Sequence, residues 1–140
     1  MKNSLLICLV LLMLSCSSDD NKPKDNTGLI GKWKLTEQYL DPGDGSGDFQ
    51  YIDSDRVITF LSDGTVEING QLCFMASEVG DLETGDFLLI TDSDTQYDGE
   101  IIPNKCSSRS AKVYFDLPVS GNLILWYQCI EACAQKFKKI

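Results

Sequence analysis

From Lys32 onward, apolar and polar residues alternate with period two, and short glycine-bearing breaks divide the alternation into segments. In KWKLTEQYL, residues 32–40, Trp33 and Leu35 fall on one face while Lys32, Lys34 and Thr36 fall on the other. A half-buried strand requires this arrangement. RVITFL and TVEIN follow, separated by Ser62-Asp63-Gly64, whose Asp-Gly pair suits a tight hairpin turn. DFLLITD, QYDGEII, AKVYFDLP and NLILWYQC continue the series, with turn signals at Asp98-Gly99 and Ser120-Gly121-Asn122. In AKVYFDLP, Val113, Phe115 and Leu117 share one face, and Lys112, Tyr114 and Asp116 the other. Such a series predicts an all-β antiparallel sandwich or barrel. Closure into a barrel would remove the exposed edges that an open sheet must protect. Only IEACAQKFKK, residues 130–139, has helical spacing: Cys129, Cys133 and Phe137 recur at i, i+4, which allows a turn of helix before a final KFKKI strand.

The N-terminus has a different character. Lys2 precedes an unbroken apolar run from Leu5 to Leu14, half of the roughly 20 residues that a membrane-spanning helix needs. A short positive segment, a short apolar segment and a small residue before a break describe a secretory signal. The break, MLSC, resembles the lipobox of bacterial lipoproteins, in which the cysteine is lipidated and becomes the new N-terminus. Residues 1–15 are then the signal peptide and Cys16 the lipidation site. Residues 16–28 are the lipidated cysteine followed by SSDDNKPKDNTG, Ser17 to Gly28, which has no apolar side chain to bury and is expected to form a disordered acidic tether. A flexible chain of that length reaches about 20 Å. Ser17, Ser18, Asp19 and Asp20 also resemble the acidic export signal of Bacteroidetes surface lipoproteins. That resemblance implies an outer-membrane lipid anchor facing the cell surface, with the periplasmic face as the alternative.

Leu29 to Ile140 is one domain's worth of chain. The sequence carries 21 acidic and 12 basic residues, a net charge of −9, which disfavours nucleic acid as a partner. With Cys8 in the signal and Cys16 lipidated, Cys73, Cys106, Cys129 and Cys133 remain, an even number in an exported domain. They predict two disulfides with three possible connectivities. The favoured pairing joins Cys73 to Cys106 and Cys129 to Cys133, the second as a staple across the IEA loop. A four-cysteine zinc site is the competing reading, but only one close pair is present. The chain has no histidine, which removes imidazole-based triads and most catalytic zinc sites.

GKW, Gly31 to Trp33, opens the first strand and resembles the G-x-W signature of lipocalins. With it, LIGKWKLTEQYLDPGDGSGDF, DRVITFLSDGTV and CIEACAQKFKKI are similar to the lipocalin-like domain of Bacteroidetes lipoproteins, so the resemblance covers nearly all of residues 29–140. It implies an antiparallel up-and-down β-barrel with Trp33 packed at its closed base. Leu35, Phe60, Phe87, Leu89, Phe115 and Leu125 are candidates for the wall of a ligand cavity or for a filled core. Three departures stand out: no contiguous Thr-Asp-Tyr follows, although TDSDTQYD begins with Thr91-Asp92; no arginine lies in the last strand to pack on the tryptophan; and the chain is short, which points to a shallow or filled interior.

DPGDGSGDF, Asp41 to Phe49, carries Asp41, Asp44 and Asp48 among three glycines. Neither aspartate register fits a calcium-binding EF-hand loop. The stretch is expected to be a rim loop with glycines at positive φ and aspartates in Asx turns. If it met TDSDTQYDGE, the pair could assemble an oxygen-only calcium site. No metal or other cofactor is otherwise expected. Nothing marks one carboxylate pair as a hydrolase centre, so no catalytic residue is expected. The expected role is a membrane-anchored lipoprotein that binds a small hydrophobic molecule; the alternatives are an accessory subunit that binds another envelope protein and, ranked last, a carboxylate-based hydrolase.

Overall fold

The computed structural model of the protein describes residues 26–92, 94–107, 111–119 and 121–140. The signal peptide, Cys16 and most of the tether lie outside them. The described chain is all β. Its strands are β1 (Gly31–Leu40), β2 (Asp48–Tyr51), β3 (Val57–Phe60), β4 (Thr65–Asn69), β5 (Leu82–Leu89), β6 (Gly99–Pro103), β7 (Val113–Val119), β8 (Asn122–Trp126) and β9 (Cys133–Lys139).

From β3 to β9 each strand pairs antiparallel with the next, and β1 pairs with both β3 and β9, which closes an eight-stranded barrel. The remaining strand, β2, continues the line of β3. The first half of β1 pairs with β3, from Gly31↔Phe60 to Lys34↔Val57, and the second half with β2, from Glu37↔Tyr51 to Leu40↔Asp48. On its other edge β1 runs beside β9 from Trp33↔Lys139 to Leu40↔Cys133, with a bulge between Leu35 and Glu37. Closure leaves no free edge on the ring, the arrangement that protects small antiparallel proteins from edge-to-edge association.

The segment with helical spacing is therefore a strand. Cys133, Gln135 and Phe137 point inward with period two, all three buried. The i, i+4 spacing of Cys129, Cys133 and Phe137 loses because β9 satisfies two edges at once, β1 and β8, which a helix in its place would leave unpaired. The sequence also places strand character on QYDGEII too early, since β6 begins only at Gly99. Conversely DFQY, at the end of the glycine-rich stretch, forms β2.

Connections alternate between two ends of the ring. At the base lie the turn that opens at Asn26, the β3–β4 turn and the β5–β6 connection. At the mouth lie residues 41–47, 70–81, 104–112 and 127–132. Both disulfides sit at the mouth: Cys73–Cys106, with a Cα separation of 5.6 Å, joins the β4–β5 and β6–β7 connections, and Cys129–Cys133, at 6.0 Å, closes the turn into β9. This is the favoured pairing.

The interior is one continuous cluster of buried side chains. Phe60, Phe87 and Phe115 meet edge to face, with centroid separations of 5.1, 5.7 and 6.5 Å, the geometry aromatic quadrupoles favour. Phe115 lies across its cross-strand partner Gly99, where a Cβ would overlap the ring, so glycine is the residue that fits there. Fully burying each such ring contributes about 1.5–3 kcal/mol.

Candidate functional site

Trp33 is fully buried at the base. Its indole Nε1 donates to the Leu29 carbonyl at 2.8 Å, and Leu29 itself is buried by the turn it forms with Asn26. A lysine from the last strand packs on the ring: Lys139 Nζ stands 5.1 Å from the Trp33 ring centre. Of the candidate wall residues, Leu35, Phe60, Phe87, Phe115 and Leu125 are in the core, while Leu89 packs half-buried against it. Their side chains belong to or pack against one continuous core cluster inside the barrel.

The polar chemistry gathers at the other end. Arg56 and its neighbour Gln135 are fully buried, and Ser54 beside them is buried to a lesser degree. Arg56 immediately precedes β3 and is in phase with the inward-facing Ile58 and Phe60, two and four residues on, so the chain's own alternation drives a guanidinium inward. Arg56 Nη1 donates to the Ala76 carbonyl and, at 3.1 Å, to Gln135 Oε1; Nη2 donates to the Gln71 carbonyl. Gln135 Oε1 also accepts from the Tyr127 hydroxyl at 2.8 Å, and Gln135 Nε2 donates to the Ala76 carbonyl at 2.6 Å. Ser54 Oγ accepts from the Arg56 amide at 3.1 Å and donates to the Ser77 carbonyl at 2.6 Å. Arg56 Nε is buried without a partner, against Gly70, where a Cβ would stand 3.2 Å from it. Among the described residues no carboxylate forms an ion pair with this cation.

The loop that supplies the carbonyls, residues 70–81, closes the mouth. Leu72 is fully buried in the core cluster and Met75 packs against it. The Leu72 amide donates to Glu83 Oε2 at 2.8 Å, and Cys73 ties the loop to the neighbouring connection. Burial pushes the Tyr127 phenol up to about 12 against the opposing Arg56 charge, so it remains a neutral donor across the physiological range. Tyr127 is the inward member of the Trp126–Tyr127 pair; Trp126 faces out.

Sequence reasoning missed Arg56, Gln135 and Tyr127 as a group. The signal was present as phase: Gln135 within β9, Arg56 just before β3 and Tyr127 just after β8 each sit two residues from a core position, Phe137, Ile58 and Leu125.

The glycine-rich loop has the Asx geometry expected of it. Asp41 Oδ1 accepts from the amides of Gly43 (2.7 Å) and Gly45 (3.1 Å), both at positive φ, and Asp44 Oδ1 from Ser46 (2.9 Å). The Gly43 amide above all holds the Asp41 carboxyl below its ordinary range, and the Ser46 side chain and amide do so for Asp44. Asp48 Oδ1 accepts from the Phe49 amide at 2.8 Å. The Asp41 loop leaves the ring at the mouth and the Asp92–Asp98 connection at the base, so the two loops do not share a rim. Among the described residues there is no group of three or more acidic or cysteine side chains placed to hold a metal ion.

Comparison of the chain with protein-family models, with curated proteins and with solved structures gives no match.

Proposed function

We propose that this protein is a lipid-anchored binding module of the outer envelope, held by acyl chains on Cys16, whose lipocalin-like barrel takes a small hydrophobic molecule with an acidic head group at its mouth. The observation that carries this reading is Arg56, a buried guanidinium whose described side-chain partners are neutral carbonyls and an amide, with Nε unpartnered. Glu78 feels the Arg56 charge but forms no ion pair with it; a buried cation without a paired counter-charge is costly, and a carboxylate there would accept paired, charge-assisted hydrogen bonds. The mouth loop has the chemistry of the ligand it would yield to. Its Gln71 and Ala76 carbonyls occupy the guanidinium, and its Leu72 and Met75 side chains occupy the apolar interior. Loop and ligand then compete for one place, and the barrel with its mouth loop seated is the ligand-free state. The role is binding and not catalysis, and the acidic residues after Cys16 favour the cell surface over the periplasmic face.

Displacement of a fluorescent long-chain carboxylic acid tests this. A saturated fatty acid should displace the probe about tenfold more effectively than the alcohol of equal length, and Arg56→Gln should erase the difference while the far-ultraviolet β signal persists. Equal displacement by acid and alcohol, or no binding of the probe, would overturn an acidic ligand at the mouth.

A second reading, an accessory subunit for another envelope protein, rests on the mouth rim. Leu40, Phe74, Val79, Leu82 and Ile130 belong to the mouth loops or the strand ends beside them, and each is more than half exposed. Exposed apolar side chains gathered at one end are a feature of protein contact surfaces. Cross-linking in intact cells that captures one defined partner, and is lost in Phe74→Ser with Ile130→Ser, would favour it.

A further inference from the structure

The outer face carries a second arrangement that the barrel reading does not use. Cross-strand register places Tyr114, Trp126, Ala134, Tyr39 and Phe49 in one row over β7, β8, β9, β1 and β2. Ala134 is too small to separate its neighbours, and the Trp126 and Tyr39 rings approach to 6.3 Å across it. Cross-strand aromatic pairs stabilise sheets, which accounts for the row itself. It does not account for Tyr97, which belongs to the β5–β6 connection. That connection folds back over the sheet so that Tyr97 stacks on Tyr114, at 4.6 Å and 12°, and stands 6.4 Å from Trp126 with the planes tilted by 47°.

Between the connection and the sheet lies a cleft of about 170 Å³ lined by Gln96, Tyr97, Asp116 and Trp126. Trp126 Nε1 donates to Asp116 Oδ2 at 2.8 Å, which fixes the indole and the carboxylate relative to each other. Two electron-rich rings set at an angle beside an oriented carboxylate form the chemistry that recognises alkylated ammonium groups: the ring quadrupoles attract the cation and the methyl groups lose little hydration. The chain's net charge of −9 adds to the attraction.

We propose that the cleft between Tyr97 and Trp126 is a binding site for a methylated ammonium cation, with Asp116 as its counter-charge and Gln96 at its open side. The site is separate from the mouth and stands or falls independently of it. A free small cation and the choline head group of a lipid share this chemistry.

The test uses the purified protein in a non-ionic detergent, titrated with choline chloride and with 3,3-dimethylbutan-1-ol, its uncharged isostere, while tryptophan fluorescence is followed. Trp33 is buried at the base, so the responsive fluorophore is Trp126. Choline should give a saturable change, and the alcohol should bind more weakly by about tenfold or more. Tyr97→Ala and Asp116→Asn should each reduce choline affinity by at least about threefold without lowering the melting temperature enough to unfold the protein at the assay temperature. Tyr97 lies in a connection, so its truncation leaves the strand pairing intact. Competition by phosphatidylcholine vesicles, and not by phosphatidylglycerol vesicles, would identify the head group as the source; choline saturation that neither vesicle disturbs would identify a free cation. Equal affinity for choline and the alcohol, choline affinity unchanged in both variants, or saturation by a neutral monosaccharide in place of choline would overturn the proposal.

Discussion

Lys139 Nζ lies 5.1 Å from the centre of the Trp33 ring and donates to the Gly28 carbonyl at 2.8 Å, so the last strand locks both the first strand and the turn before it. Its ring contact and its hydrogen bond differ in weight from the burial beneath them. Trp33→Ala removes a fully buried indole and its hydrogen bond to Leu29, with an expected cost of about 3–5 kcal/mol. Lys139→Gln keeps the packing and removes an exposed cation–π contact, with an expected cost of about 0.5–1 kcal/mol. Urea unfolding of the two variants checks this ranking, and an equal loss would mean that the base is held by the lysine and not by the ring.

The strands that alternate cleanly were legible: Trp33 and Leu35, Ile58 and Phe60, Leu123 and Leu125 all face inward as their phase requires. What was not legible is where phase and chemistry disagree. Arg56 and Gln135 occupy inner positions with polar side chains, which sequence reasoning assigns to solvent, and only the mouth loop folding back with free carbonyls makes their burial tolerable. Cys133 and Phe137 fit a helix and a strand equally well in isolation, since four residues is near one helical turn and two strand periods. The tie is broken by the unpaired edges of β1 and β8, a tertiary fact that no local window contains.

Tyr127 gives the mouth cluster a signature at high pH. Burial raises its phenol to about 12 from an ordinary 10.0. Between those values the folded protein keeps the proton that the unfolded chain has released, so stability falls as pH rises through this window and is fully present below it. The loss is on the order of 3 kcal/mol over the window. Tyr127→Phe should be less stable at pH 8, because Gln135 Oε1 loses a donor, yet should show a flatter stability profile from pH 10 to 12. Parallel profiles for the two proteins would place the titration elsewhere.

Gly99→Ala tests the packing at the centre of the barrel. The added Cβ would overlap the Phe115 ring, which is itself held edge to face by Phe60 and Phe87. Because the ring is in contact with both neighbouring phenylalanines, relieving the overlap should shift the three together, at an expected cost of about 1–3 kcal/mol. Phe115→Leu in the same background should recover part of that loss by withdrawing the ring from the site, whereas two independent defects would add. Recovery measured in the double variant distinguishes a steric conflict from a general weakness of β6.

The two disulfides should differ in weight because they close loops of different length. Cys73 and Cys106 are 33 residues apart and Cys129 and Cys133 only 4. On the chain-entropy account these loops correspond to about 4 and about 2 kcal/mol respectively. The longer bridge also anchors the loop that carries the Gln71 and Ala76 carbonyls to Arg56, so its removal frees the mouth as well as the unfolded chain. Cys73→Ser with Cys106→Ser should therefore lower the urea midpoint about twice as far as Cys129→Ser with Cys133→Ser. It should also speed amide hydrogen exchange locally at Leu72, whose amide is held by Glu83 only while the loop is seated. A longer-bridge variant that loses stability with no local change at Leu72 would confine the effect of that disulfide to the unfolded state and leave the seating of the mouth loop to Arg56 alone.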